Sequence, residues 1–310
     1  MKKNILITGG SGFIGSNLVD FLVLKGHNIY VVDDLSTGLK QNENIKATYF
    51  YHNLIDCIED TKYIENILNN NNITVVYHLA ASADIFLSIN NPEKVYNINL
   101  VSSIALVNAC NRSNVTKFIF ASTSAIYGEP KYLPVDESHP PRPISPYGLT
   151  KLGFEQYLDY FKSHTNMSFT IYRFPNVYGY RQRPDLEGGV IAIFEDKIKK
   201  NDDIKMFGDG EQTRDWVEVS DIVSALHKGL EYKEKYEIFG LGSNTKTSLN
   251  TLLNYFKELT DYAKLPKHLK ERDGDIKHMV MTYEYAKKEL DWEPSINLKE
   301  GIKKLIKDLK

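Results

Sequence analysis

Ile5-Leu6-Ile7-Thr8-Gly9-Gly10-Ser11-Gly12-Phe13-Ile14-Gly15 is the stretch on which the reading of the fold turns. An apolar run of strand length passes through a glycine-rich turn into a segment of helical periodicity. That segment runs from about Gly12 to Lys25, with Ile14, Leu18, Phe21 and Leu22 on one face. Gly9, Gly12 and Gly15 recur at every third residue. Between a strand and a helix, such glycines allow a tight turn, a close backbone approach and close packing of helix on strand. The helix's first N–H groups lack intrahelical acceptors and face whatever lies before them, and a pyrophosphate suits that position. Gly9, Gly12, Phe13, Ile14 and Gly15 are therefore candidates to hold one.

Outward from this turn, short apolar runs alternate with helical patterns. Strands are expected at 29–32, closing on Asp33, and at 47–51, 75–79, 117–121 and 169–172; helices are expected at 62–68, 92–110 and 146–161. The Asn-rich stretch 69–72 reads as a polar loop. Strand and helix in alternation imply βαβ units and an α/β fold built on a doubly wound parallel sheet. The alternation weakens after Asn176, which places a domain boundary between residues 1–174 and 175–310. Segments at 220–230 and 236–240 are expected to cross back to the first sheet.

A length of 310 residues fits two such domains. The formal net charge of -2 gives no broad basic field, so nucleic acid is not an expected partner. Two cysteines, Cys57 and Cys110, cannot build a disulfide framework, and they sit among apolar neighbours, as expected of a protein from the reducing cytoplasm. The eight histidines show no metal-ligand spacing, so no metal is expected. The N-terminal apolar run breaks at Gly9-Gly10, too early for a signal peptide, and no apolar run is long enough to cross a bilayer, so no membrane is expected.

The second expected strand ends in Asp33-Asp34-Leu35-Ser36-Thr37-Gly38, all candidates to bind the cofactor. A carboxylate there can accept from both hydroxyls of a ribose and would repel a 2′-phosphate. With no arginine following at once, NAD is preferred to NADP. One of the two aspartates can serve only the turn, and Asp33, at the strand end, is the choice for the ribose.

Tyr147 and Lys151 lie four residues apart, about one helical turn, and so share a face. A cation beside a phenol favours the phenolate, a general base for a hydroxyl proton. Tyr127/Lys131 and Tyr283/Lys287 have the same spacing. Gly128 and Pro130 break the first, and the second sits among charges typical of a solvated face. Tyr147/Lys151 opens a helix next to a strand ending in Ala121-Ser122-Thr123-Ser124, where a doubly wound sheet places its ligand crevice.

Taken together, the Gly-x-x-Gly-x-x-Gly turn, the Tyr-x-x-x-Lys helix and the hydroxyl-rich strand end resemble those of extended short-chain dehydrogenase/reductases. Within these, the chain resembles nucleotide-sugar epimerases of the UDP-glucose 4-epimerase type. Further similar stretches are His78-Leu79-Ala80-Ala81, Asn99, Arg173 to Gly179, Gly208 to Asp215, and Arg272-Asp273-Gly274-Asp275. The resemblance implies a Rossmann-type doubly wound parallel sheet with a smaller α/β C-terminal substrate domain. It implies Thr123, Tyr147 and Lys151 as the catalytic set. It implies Asn53 and Leu54 beside the adenine, Leu79, Ala80, Ala81 and Ser82 along the cofactor, and Asn99 in support. It implies Ser124, Asn176, Arg214, Arg272 and Asp275 around a UDP-sugar, although the family commonly has Asp where Asn53 stands.

The same resemblance bears on the reaction. Dehydrating relatives carry an Asp-Glu pair after the catalytic Thr; here Ser124 and Ala125 stand there. That favours 4-epimerisation through a transient 4-keto sugar, with a reductase or dehydratase, or a non-catalytic NAD-sensing protein, as alternatives. Met279 occupies the position that gates sugar size in relatives. UDP-glucose/UDP-galactose is favoured, ahead of the N-acetylhexosamine pair and UDP-glucuronate. A homodimer is also implied, with Phe154, Leu158 and Phe161 either forming its face or packing on the sheet.

Overall fold

The structure, a computed structural model, describes residues 1–186, 189–271 and 276–307. In chain order its strands are β1 (Asn4–Thr8), β2 (Asn28–Asp33), β3 (Thr48–Tyr51), β4 (Val75–His78), β5 (Lys117–Thr123), β6 (Ser168–Phe174), β7 (Asn176–Tyr178), β8 (Lys205–Phe207), β9 (Thr213–Arg214), β10 (Trp216–Glu218), β11 (Tyr236–Gly240), β12 (Thr247–Ser248) and β13 (Lys267–Leu269). Its helices are α1 (Phe13–Leu24), α2 (Lys62–Asn70), α3 (Ile85–Asn90), α4 (Pro92–Tyr96), α5 (Ser102–Asn111), α6 (Pro146–Phe161), α7 (Val190–Lys199), α8 (Val219–Glu231), α9 (Leu249–Leu259), α10 (Glu284–Leu290) and α11 (Leu298–Lys307).

Seven strands form one parallel sheet in the order β11-β6-β5-β4-β1-β2-β3. The order reverses between β1 and β4, the position where doubly wound sheets open a ligand crevice. Both faces are covered, which is why the strands read as unbroken apolar runs. Period-two alternation splits them cleanly. Ile5, Ile7, Val31, Val75, Tyr77 and Ile119 point to the side of α1 and α8, whereas Leu6, Val32, Val76, Phe118 and Phe120 join Leu106, Phe154 and Leu158 on the other. A separate apolar cluster, including Phe194, Trp216, Leu252 and Phe256, gathers α7, α9 and α11 around the short strands.

Two local expectations change, and one open alternative is decided. Asn69 and Asn70 finish α2 instead of lying in a loop. The segment 92–110 is α4 and α5 joined by a π-helical turn over Asn97–Val101, and a single extra residue in a helix leaves no mark on apolar periodicity. Phe154 and Leu158 are 0% exposed and Phe161 is 7% exposed, all within the core against the sheet. They are packing residues, and the exposed apolar side chains of α6 are Leu149 and Tyr160.

Candidate active site

The glycine turn joins β1 to α1 at the crevice. A Cβ on Gly15 would lie 2.0 Å from the Gly9 carbonyl oxygen, so the helix meets the turn at a distance only glycine permits. Behind Gly12, Phe13 and Ile14 open α1 with no side-chain cap and no acidic residue in the first turn. Those N–H groups are offered to an anion. The Ser11 hydroxyl, buried in the same turn, has no hydrogen-bond partner in the protein. Gly15→Ala should therefore cost on the order of 3–5 kcal/mol. Thermal unfolding would show that loss, together with purification of the protein without nucleotide.

Asp33, buried at the end of β2, accepts from the Ser11 and Leu35 amides, both at 2.9 Å. Burial raises its pKa, and those two N–H bonds oppose the rise. Asp34 is exposed and serves the turn, accepting from Ser36 N–H at 2.9 Å while Leu35 adopts φ 59°. Of the two aspartates, Asp33 alone is locked onto the glycine turn. Gly38 packs where a Cβ would meet the Asp33 carboxylate at 2.8 Å. Arg183, from the far side of the crevice, donates to the Thr37 carbonyl at 2.8 Å.

On the other wall, Leu79 N–H donates to the Thr8 carbonyl (3.1 Å) and Ala80 N–H to the Thr8 hydroxyl (3.3 Å). Asn99 holds Ser82 from both sides, accepting its N–H at 2.8 Å and donating to its carbonyl at 2.9 Å, and also reaches the Thr150 hydroxyl of α6. Asn99 therefore shapes the Ala80-Ala81-Ser82 loop. Buried His78 bridges the Thr8 and Ser103 hydroxyls, each at 2.7 Å, and burial pushes its pKa down to about 3, so it is a neutral bridge. Further along, Asn53 caps the short 3₁₀ turn that begins at Leu54, accepting from Ile55 N–H at 2.9 Å, while Leu54 is buried in the core.

Helix α6 starts cleanly because Ser145 caps it, accepting from Gly148 N–H at 3.1 Å, and Pro146 occupies its first position. Gly148 lets the first turn press against the chain after β5, since a Cβ there would lie 2.5 Å from the Ala125 carbonyl oxygen. That contact sets Tyr147 beside Thr123, whose hydroxyl favours the phenolate. Thr123 also caps the turn Ser124–Ile126 through Ala125 N–H.

Lys151, 3% exposed, donates to the Ala121 carbonyl at 2.9 Å and sits 4.8 Å over the Phe120 ring. Burial pushes its pKa down to about 7, with Glu155 pulling it up. Burial also holds the Tyr147 phenol above its ordinary value, and the Thr123 hydrogen bond is what lowers it. The Lys151 ammonium carries three donors, and one of them is used by the Ala121 carbonyl.

Asn176 lies across from Trp216 in the β7–β10 pair, and its backbone and side-chain N–H groups both donate to the Asp215 carbonyl. Arg214, next in the chain, donates to the Thr213 and Lys277 carbonyls. Asn176 and Arg214 are thus neighbours, while Arg272 and Asp275 lie outside the described residues. Met279 is buried with Ile126, Tyr127, Val135 and Met281, part of the packing behind the turn after β5. The other Tyr/Lys pairs resolve physically. Tyr127 is a core residue, and Lys287 pairs with Glu293 at the surface. Among the described residues no cluster of three His, Cys, Asp or Glu side chains could hold a metal ion, and no helix is long and apolar enough to cross a membrane.

The sequence reading missed the polar group beneath Lys151. Glu155 pairs with Arg173 at 2.7 Å, and the Ser122 hydroxyl donates to the same carboxylate. The four-residue step from Lys151 to Glu155 was the available signal.

Residues 5–242 match the model of the NAD dependent epimerase/dehydratase family. A UDP-glucose 4-epimerase of Mycolicibacterium smegmatis is 32% identical over 307 residues, covering 97% of this chain and 96% of that protein. Among solved structures, a UDP-glucose 4-epimerase from Thermotoga maritima with UDP-glucose has a TM-score of 0.94 at 39% identity, covering 99% of this chain and 100% of that one. The Thermus thermophilus UDP-glucose 4-epimerase in complex with NAD has a TM-score of 0.91 at 31% identity, covering 99% and 98%. With its glycine turn, its Asp33 and its Tyr147/Lys151 helix gathered at the switch point of the sheet, this chain belongs to the NAD-dependent epimerase/dehydratase family.

Proposed function

We propose that this protein is an NAD-dependent UDP-sugar 4-epimerase, with UDP-glucose and UDP-galactose as the favoured pair. The observation that carries the reading is the crevice cluster of Thr123, Tyr147 and Lys151 with Ser124 and Ala125 beside it. It has the groups for removing and returning a hydroxyl proton and lacks the acids that would expel water. Similarity to UDP-glucose 4-epimerases, one solved with UDP-glucose and one with NAD, supports it.

The residues present fit NAD: an uncapped helix N-terminus for the pyrophosphate, and Asp33 for the ribose. Bound NAD supplies a reversible hydride acceptor. Tyr147 takes the proton of the sugar 4-OH and gives it back, and Thr123 holds the reacting oxygen. Lys151, anchored on Ala121, lowers the pKa of Tyr147 and binds the nicotinamide ribose. Asn176, Arg214, Arg272 and Asp275 hold the nucleotide sugar, guanidinium groups suiting a diphosphate. The chain divides between a cofactor domain (1–174) and a substrate domain (175–310), with β11 contributed back to the main sheet.

A homodimer is proposed through Leu149 and Tyr160 of α6 and the neighbouring exposed Tyr96, which sedimentation velocity reads directly. Two buried free thiols, Cys57 and Cys110, support a place in the cytoplasm. The deciding experiment is turnover on UDP-glucose, UDP-N-acetylglucosamine and UDP-glucuronate. C4 inversion with no net NADH upholds the reading, and NADH accumulation or loss of water from the sugar overturns it.

A further inference from the structure

We propose that Glu155 and Arg173 form a buried positioning pair for the reaction. Through Ser122 they hold the end of β5 against α6, and with it both anchors of the catalytic side chains: the Ala121 carbonyl under Lys151 and the Thr123 hydroxyl beside Tyr147. The inference rests on the assignment of Tyr147 and Lys151 as the catalytic pair.

The geometry is closed on every side. Glu155 is 2% exposed and Arg173 5% exposed. In the β5–β6 register Ser122 stands opposite Arg173, so the strand pairing brings the guanidinium beside the serine. The Glu155 carboxylate receives Arg173 Nη2 at 2.7 Å, Arg173 Nε at 3.2 and 3.3 Å, and the Ser122 hydroxyl. Arg173 Nη1 goes on to the Tyr127 hydroxyl at 2.8 Å and the Glu137 carbonyl at 3.2 Å. Tyr127 in turn donates to the Asp136 carbonyl at 3.1 Å, and the Glu137 carboxylate is occupied by Gly240 N–H at 2.7 Å. Three consecutive residues of β5 thus each give one contact to α6: the Ala121 carbonyl receives Lys151, the Ser122 hydroxyl binds Glu155, and Thr123 meets Tyr147.

The pair is an expensive way to pack a helix on a strand. A buried ion pair is often replaceable by apolar groups at no loss of stability, so packing alone does not account for it. Its orientation supplies a second effect. Glu155 lies one helical turn beyond Lys151 and favours the ammonium form against burial. Of the other titratable groups near Lys151, buried His78 is neutral, and burial raises the Tyr147 pKa while Thr123 lowers it. Glu137 and Tyr127 lie on the far side of Arg173.

Ser122→Ala and Glu155→Gln separate positioning from packing, Ser122→Ala leaving the ion pair whole. Loss of an anchor by a fraction of an ångström predicts kcat lower by about tenfold for Ser122→Ala and about a hundredfold for Glu155→Gln. KM and bound NAD should stay within about twofold, and Ser122→Thr should restore most of the rate. In Glu155→Gln the alkaline limb of kcat, and the Lys151 titration followed by NMR of labelled lysine side chains, should both move to lower pH. Variants that melt earlier while keeping wild-type kcat and an unmoved Lys151 titration would make the pair merely structural and overturn the proposal. Should Glu155→Gln fail to fold, Ser122→Ala with its threonine rescue decides. The sugar assays on the wild-type chain test the epimerase reading separately, and the Lys151 titration reads the pair whatever the substrate proves to be.

Discussion

Tyr147→Phe is expected to lower kcat by about a thousandfold, the middle of the range for loss of a positioned acid–base group. The substitution removes one oxygen from a half-buried ring whose hydroxyl meets Thr123. Packing of α6 is carried by Phe154, Leu158 and Phe161, so the fold should survive. Bound NAD and the melting temperature should remain close to wild type. Steady-state kinetics with UDP-glucose and a nucleotide assay on the purified protein check both halves. Near-wild-type turnover would remove Tyr147 from the mechanism.

Lys151→Met should separate activity from stability. The rate should again fall by about a thousandfold, yet the NAD-free protein should become more stable near neutral pH. The Lys151 pKa is pushed from its ordinary value down to about 7 by burial. Below that pH the folded chain carries a buried ammonium at full cost, on the order of 5 kcal/mol at 1.36 kcal/mol per pKa unit. Methionine avoids that cost and leaves the Ala121 carbonyl without its donor, a loss of about 1 kcal/mol. The sign follows. Between about 7 and the ordinary lysine value the unfolded chain holds the proton and the folded chain does not, so the wild type gains stability as pH rises. The advantage of methionine should therefore be largest at or below pH 7 and shrink toward alkaline pH. Melting curves of both proteins across that range provide the measurement, and a methionine variant less stable at pH 6 would contradict the assignment.

Much of the site was legible because its signals are local. The glycine turn is specified by residues 9–15 alone, and Gly15 against Gly9 is a contact within one turn. Asp33 was legible because a strand end announces itself. Only the return of the turn to Ser11 shows which carboxylate is locked. The π-helical turn at Asn97–Val101 was invisible for a different reason: one extra residue shifts the helix phase too little to disturb a pattern of apolar side chains. Phe154, Leu158 and Phe161 have the spacing of an apolar stripe, and a stripe says that something covers it without saying what. The sheet does.

The chain by itself determined its strand–turn–helix units, the burial of its parallel sheet on both faces, and the chemical types available at the crevice. Each depends on the period of the backbone and on neighbours within about ten residues. Tertiary structure alone presses Gly148 onto Ala125 and so sets Tyr147 beside Thr123. It alone decided that Lys151 rests on Ala121, and that Glu155 finds its partner on β6 across Ser122. Those contacts join residues 18 to 33 positions apart, brought together by the parallel register of β5 and β6 and by the helix laid across them.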